Sequence, residues 1–78
     1  MFKVYVRRSD NLVVGWHPGY DVRAGRLRQA NVITPYGADD IEAHPVAALP
    51  DPLAPGVYAY TPADGLTVAD PAALADFD

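Results

Sequence analysis

The side chains best suited to chemistry are two histidines, His17 and His44, and an acidic run, Asp39, Asp40 and Glu42, just before the second of them. Imidazole and carboxylate together are ligands for zinc and related ions, so a metal reading joins one histidine to these acids. The histidines lie 27 positions apart, each directly before a proline, and nothing in their spacing gathers ligands on one helix face. Two loop histidines held in X-Pro turns account for the pattern, and no metal site is assigned. Paired carboxylates can also perform acid–base hydrolysis when rigid elements hold them around a cleft. The run Asp39-Asp40-Ile41-Glu42 reads as a loop, however, so a solvated acidic loop is expected. Ser9 is the only serine and occupies a turn without a histidine near it in sequence. No nucleophile motif, phosphate-binding glycine loop or dinucleotide fingerprint occurs. The expectation is a protein that is not an enzyme, with no catalytic residue, no cofactor and no small-molecule substrate.

Charge is divided along the chain. Every lysine and arginine lies between Lys3 and Arg28, and eight of the ten acidic residues lie between Asp39 and Asp78. Residues 1–28 carry Lys3, Arg7, Arg8, Arg23, Arg26 and Arg28 against Asp10 and Asp21, a net +4, whereas residues 29–78 hold eight carboxylates and no base. A basic head and an acidic tail can close on one another within one molecule or between copies, and the sequence leans to contact between copies. The densest basic stretch, Arg23-Ala24-Gly25-Arg26-Leu27-Arg28, is flanked by Trp16, Tyr20 and Tyr36. Such arginines suit phosphates and such aromatics suit stacked bases, but the net charge of −4 opposes approach to a polyanion. The competing use of the arginines is to pair with the chain's own or a neighbour's carboxylates. Trp16, Tyr5, Tyr58 and Tyr60 fit either hairpin packing or a protein interface. The candidate interaction residues are therefore Trp16, Tyr20, Arg23, Arg26, Arg28, Tyr58 and Tyr60.

These residues must be positioned by a single small domain. Seventy-eight residues bury only about 60–65% of the surface of the unfolded chain, so stability without help is marginal. No cysteine is present to supply disulfides, and partners become the favoured supplement. MFKVYVRRSD at the start carries charges, and no apolar stretch is long enough for a signal peptide or a spanning helix. A soluble protein made in the cytoplasm, without a membrane partner, is expected.

The fold class expected is mainly β: two small antiparallel hairpins joined by an extended Pro-rich arm, with a short C-terminal helix. Phe2, Val4 and Val6 alternate with Lys3, Tyr5 and Arg7, the pattern of a half-buried strand. Ser9-Asp10-Asn11 closes a hairpin onto Leu12-Val13-Val14-Gly15-Trp16, giving a hairpin over residues 2–16. Arg23-Ala24-Gly25-Arg26 reads as a turn, Leu27–Thr34 as one further strand, and Thr34-Pro35-Tyr36-Gly37 as its end. Residues 2–36 thus form a basic β head. Pro45, Pro50, Pro52 and Pro55 forbid a helix over residues 45–55 and favour an extended arm of about 30 Å. Residues 56–78 hold an acidic second hairpin, Gly56–Thr61 against Leu66–Val68, and a helix capped by Asp70 and begun by Pro71, with Leu74 and Phe77 as anchors.

The chain resembles short phage-encoded proteins associated with tails and baseplates. The likeness lies in the opening hairpin, Phe2-Lys3-Val4-Tyr5-Val6 followed by Asp10-Asn11-Leu12-Val13-Val14-Gly15-Trp16. It lies also in the ending Tyr58-Ala59-Tyr60, Asp64-Gly65 and Leu66-Thr67-Val68-Ala69-Asp70-Pro71. It covers about half the chain, and the arginine cluster and the proline arm have no counterpart in it. What the resemblance implies is a virion component, in the tail, baseplate or capsid decoration, assembled in many copies beside other virion proteins and bringing no catalytic residues. Two alternatives stand beside it. One is an acidic host-directed inhibitor or regulatory module that mimics nucleic acid with Asp39, Asp40, Glu42, Asp51, Asp64, Asp70, Asp76 and Asp78. The other is a small nucleic-acid-binding module that uses Arg23, Arg26 and Arg28.

Overall fold

The computed structural model describes residues 2–29, 32–50 and 53–75. They form a mainly β protein of three small antiparallel sheets and one short C-terminal helix. The first sheet contains β1 (Phe2–Arg7), β2 (Val13–His17) and β6 (Ile41–Val46), in the order β2-β1-β6. The second contains β3 (Tyr20–Arg23), β4 (Arg26–Gln29) and β5 (Val32–Gly37), in that order. A two-stranded ribbon joins β7 (Tyr58–Thr61) to β8 (Gly65–Val68), and helix α1 (Pro71–Ala75) follows.

The opening hairpin forms as its turn chemistry dictates. Asn11 takes φ 62°, the left-handed conformation that asparagine tolerates, and the Asp10 carboxylate accepts the Leu12 N–H at 3.2 Å. Between Tyr5 and Val6 the register of β1 on β2 shifts, leaving Val14 as an extra residue between Gly15, opposite Tyr5, and Val13, opposite Val6. The bulge turns Val14 to the face of Tyr5 and leaves Val13 with Val4 and Val6 on the other.

Both faces of β1 are consequently covered. Val4, Val6 and Val13 pack with Val57 and Tyr58, under Leu49, Leu53, Ala54, Leu66 and Leu74. Tyr5 and Val14 pack on the opposite face with Tyr20, Leu27 and Ile41. The alternation of β1 suggests one buried face, but its second face is buried too, because the chain returns through β3 and β4 to lie over it. The register of β3 on β4 puts Tyr20, Val22, Leu27 and Gln29 on the inner side of the second sheet. The two sheets meet at Gly15, where a Cβ would stand 3.0 Å from Leu27 Cδ2 and 3.1 Å from the Tyr20 ring.

Three expectations change in the middle of the chain. Leu27–Thr34 is not one strand: it divides into the end of β4 and the start of β5, which pair antiparallel as a hairpin. Pro35 does not end a strand but lies inside β5, tolerated because β5 is an edge strand that has no further neighbour to receive an N–H. The acidic run is not a loop: Ala38–Asp40 is a single 3-10 turn, and Ile41 and Glu42 begin β6, where Pro45 again occupies an edge. The Arg23–Arg26 turn does form, with Ala24 at φ 52° and Gly25 at φ 74°, both positive as a tight type I′ hairpin requires.

The proline-rich segment folds back on its own domain, with Leu49, Leu53 and Ala54 against the Val4–Val13 cluster. The ribbon that follows docks along the free edge of β2 through a Leu12–Ala59 bridge, Gly56 N–H to the Val13 carbonyl at 2.9 Å, and Tyr60 N–H to the Asn11 carbonyl at 2.9 Å. Asp70 caps α1 as its position before Pro71 predicts, its Oδ1 accepting the Ala73 N–H at 3.1 Å. Leu74 packs into the adjacent cluster, and Phe77 lies outside the described residues. No helix among the described residues is long and apolar enough to cross a membrane.

Gly15 is the tightest point of this packing. Gly15→Ala is expected to cost about 1–3 kcal/mol by overpacking Leu27 and Tyr20, read as a lowered urea midpoint with unchanged slope. An unchanged midpoint would mean that the two sheets are not locked together here.

Candidate functional site

The two histidines stand on opposite faces of the first sheet, because His44 pairs with Val4 and His17 with Lys3, and successive residues of β1 alternate faces. His44 Nε2 lies 3.3 Å from Glu42 Oε2, and its ring meets Tyr60 with centroids 4.8 Å apart and a 32° tilt. His17 Nδ1 is 3.6 Å from Asp21 Oδ1, beyond hydrogen-bond reach. Among the described residues no group of three or more histidine, aspartate or glutamate side chains is arranged to hold a metal.

The basic and acidic halves meet inside one molecule. Arg8 Nη1 donates to Glu42 Oε1 at 2.6 Å, and its backbone N–H donates to the Asp40 carbonyl at 2.9 Å. Glu42 thereby links Arg8 to His44, and His44 to the ring of Tyr60 in the C-terminal ribbon. Asp40 turns its own carboxylate back to the Gly37 N–H at 3.1 Å. Arg7 holds Asp10 through two hydrogen bonds, Nε to Oδ1 at 3.0 Å and Nη2 to Oδ2, and its guanidinium stands 6.0 Å over the Tyr36 ring.

Arg7, Arg8, Ser9, Tyr36, Asp39 and Asp40 line an open depression of about 440 Å³. Both arginines there already have carboxylate partners, and Ser9 has no histidine among the lining residues to act as its base. The depression therefore lacks the elements of an activated nucleophile.

Arg23, Arg26 and Arg28 present a different picture. Arg23 faces Arg26 directly across the β3–β4 hairpin, and Arg28 follows on the same, outer face. With Ala24 and Ile33 they line an open cleft of about 170 Å³. None of the three makes an ion pair among the described residues. Arg28 pairs in register with Asp21, whose carboxylate lies beside His17 instead. Arg28 Nε is shut off from solvent without a hydrogen-bond partner among the described residues. On edge strand β5, Ile33 stands opposite Arg28 on this face and is 60% exposed, whereas Val32, opposite Gln29, is 63% exposed on the other side of the strand.

Of the aromatic candidates, Tyr20 and Tyr58 are 5% and 6% exposed and serve the two buried clusters. Burial pushes the Tyr20 phenol above its ordinary pKa. Trp16 is half-buried, packs against both clusters and meets Tyr20 edge-on, with centroids 4.8 Å apart at 69°. Tyr60 is half-buried beside His44. The arginines are thus brought together on an outer surface, while the aromatics are divided between interior positions. Sequence reasoning missed Val32 and Ile33 as surface residues; the signal available was Pro35 three and two positions on, which marks their strand as an edge.

The Arg7 hydrogen bonds hold the Asp10 carboxyl below its ordinary pKa. A depressed carboxylate pKa adds stability above the unfolded-state value and loses it as pH falls through the folded-state value, so this pair weakens only in acid. The ion pair is exposed, and its contribution is correspondingly small. A ¹³C titration is expected to find the Asp10 midpoint below the ordinary aspartate value and to find it raised in Arg7→Gln; equal midpoints in both proteins would exclude the pair in solution. No protein-family model, curated protein sequence or solved structure matches the chain.

Proposed function

We propose that the chain is a non-enzymatic structural or accessory protein of a bacteriophage virion, a tail or baseplate component or a capsid decoration, that docks on a larger assembly. The observation that carries the docking role is the free edge of the second sheet, where exposed Ile33 of strand β5 shares a face with arginines that lack a described counter-charge, and exposed Val32 beside it extends the apolar edge on the other face. An edge strand offers unpaired backbone donors and acceptors, and adjacent apolar side chains give a partner area to bury. The positive charges steer approach and fix register more than they set affinity. Likeness to short tail and baseplate proteins, in the opening hairpin and the Tyr58–Pro71 ending, supports a virion as that assembly, with other virion proteins and further copies as partners.

The carboxylates that a nucleic-acid mimic would use support that alternative less well. Glu42 is engaged by Arg8, Asp40 by the Gly37 N–H, and Asp70 by the cap of α1. A mimic needs such groups free on one rigid face.

Docking is tested with particles in hand. The chain should cosediment with virions, and Val32→Ser with Ile33→Ser should abolish cosedimentation while leaving the thermal midpoint nearly unchanged, since both side chains are exposed. Size-exclusion with light scattering at low and high salt should show association that weakens as salt rises. A stable, salt-indifferent monomer absent from particles would overturn the proposal.

A further inference from the structure

We infer that the cleft between Arg23, Arg26 and Arg28 is a binding site for a phosphate-type oxyanion. Like charges directly opposite one another on adjacent strands repel, and Arg23 faces Arg26 in that way with Arg28 beside them on the same face. A structural use of these arginines would supply carboxylates, yet none of the three has an ion-pair partner among the described residues, and the register neighbour of Arg28, Asp21, lies next to His17. The solvent-shielded Arg28 Nε has no acceptor among the described residues either, and a desolvated guanidinium donor without an acceptor is costly.

Shape and charge indicate the class of ligand. Guanidinium groups present rigid forks of N–H donors, which match the oxygens of phosphate two at a time. Three of them reach the cleft from two adjacent strands, so the ligand must offer acceptors in several directions and more than one negative charge. A tetrahedral phosphate does this, whereas one planar carboxylate satisfies a single fork. The opening of about 170 Å³, with Ile33 and Ala24 beside the three arginines, accommodates such a group. The tight turn at Ala24 and Gly25 and the strand ladder fix the backbone from which the arginines extend, so binding need order only their side chains. The same chemistry is offered by inorganic phosphate and by the phosphodiesters of nucleic acid.

The inference does not depend on docking, because the test uses the free chain. Inorganic phosphate is titrated at constant ionic strength, with chloride as the control, and ¹⁵N spectra follow the arginine Nε–H and backbone resonances. Saturable shifts are expected at Arg23, Arg26, Arg28 and Ile33, with Lys3, Arg7 and Arg8 unmoved. Arg26→Gln and Arg28→Gln should each weaken binding about tenfold or more, as loss of charge-assisted hydrogen bonds requires. A labelled single-stranded oligonucleotide then separates the sources: competition far tighter than that of phosphate assigns the site to nucleic acid, and parity assigns it to the free ion. Shifts that are unsaturable, spread over all six basic residues, or matched by chloride in the native chain would overturn the inference.

Discussion

The contact at Gly15 governs this molecule. Leu27 and Tyr20 of the second sheet approach the first so closely that even a Cβ at Gly15 would crowd them. That approach closes Tyr5, Val14 and Ile41 from water and makes β1 a strand covered on both faces. A small domain ordinarily buries one face of one sheet, and the depth of its core is limited by its surface-to-volume ratio. Here the same central strand serves two clusters, one beneath the proline-rich segment and ribbon, the other beneath β3 and β4. The bulge at Val14 makes this division work, because without the extra residue Val14 would stand opposite Val6 and Val13 opposite Arg7, and the two valines would exchange faces.

Electrostatics follows from that topology. Folding the chain back on β1 brings the end of the first hairpin to β6, and Arg8 meets Glu42 across 34 positions of sequence. Among the described residues the basic head and acidic tail are therefore joined in cis at the Arg8–Glu42 pair, with Glu42 passing the contact to His44 and the ring of Tyr60. Closure is incomplete. Arg23, Arg26 and Arg28 lie on the outer side of the second sheet, facing away from the cluster that Tyr20 and Leu27 build on its inner side. The positive charge left over belongs to the second sheet, on the face turned away from β1.

Much of this was legible in the sequence where the determinants are local. Asn11 at the hairpin turn, Gly25 at the second turn, and Asp70-Pro71 at the helix start each carry their conformation in their own covalent chemistry, whereas Ala24 is held at positive φ by the hairpin around it. The errors arose where tertiary context decides. Pro35 and Pro45 look like strand terminators until their strands are known to be edges, which depends on sheet order. The alternation of Phe2–Arg7 reveals one apolar face but does not tell that Tyr5 on the other is covered by Tyr20 and Leu27. At the candidate site the arginine cluster was visible as composition, whereas its lack of a described carboxylate partner and its border of Val32 and Ile33 are properties of register and exposure.

The placement of the aromatics bears on how such a chain engages anything else. Aromatic side chains often anchor protein interfaces, and tyrosines on hairpins invite that assignment here. Tyr20 and Tyr58 are instead consumed by the two clusters that a two-faced strand requires, and Trp16 bridges them. Exposing them to a partner would open the domain. Aliphatic and cationic groups on β3, β4 and β5 are what the fold leaves outside at no cost to its interior. Changes at Val32, Ile33 and the arginines can therefore be made without disturbing Gly15, Leu27 and Tyr20, whose packing holds the sheets together.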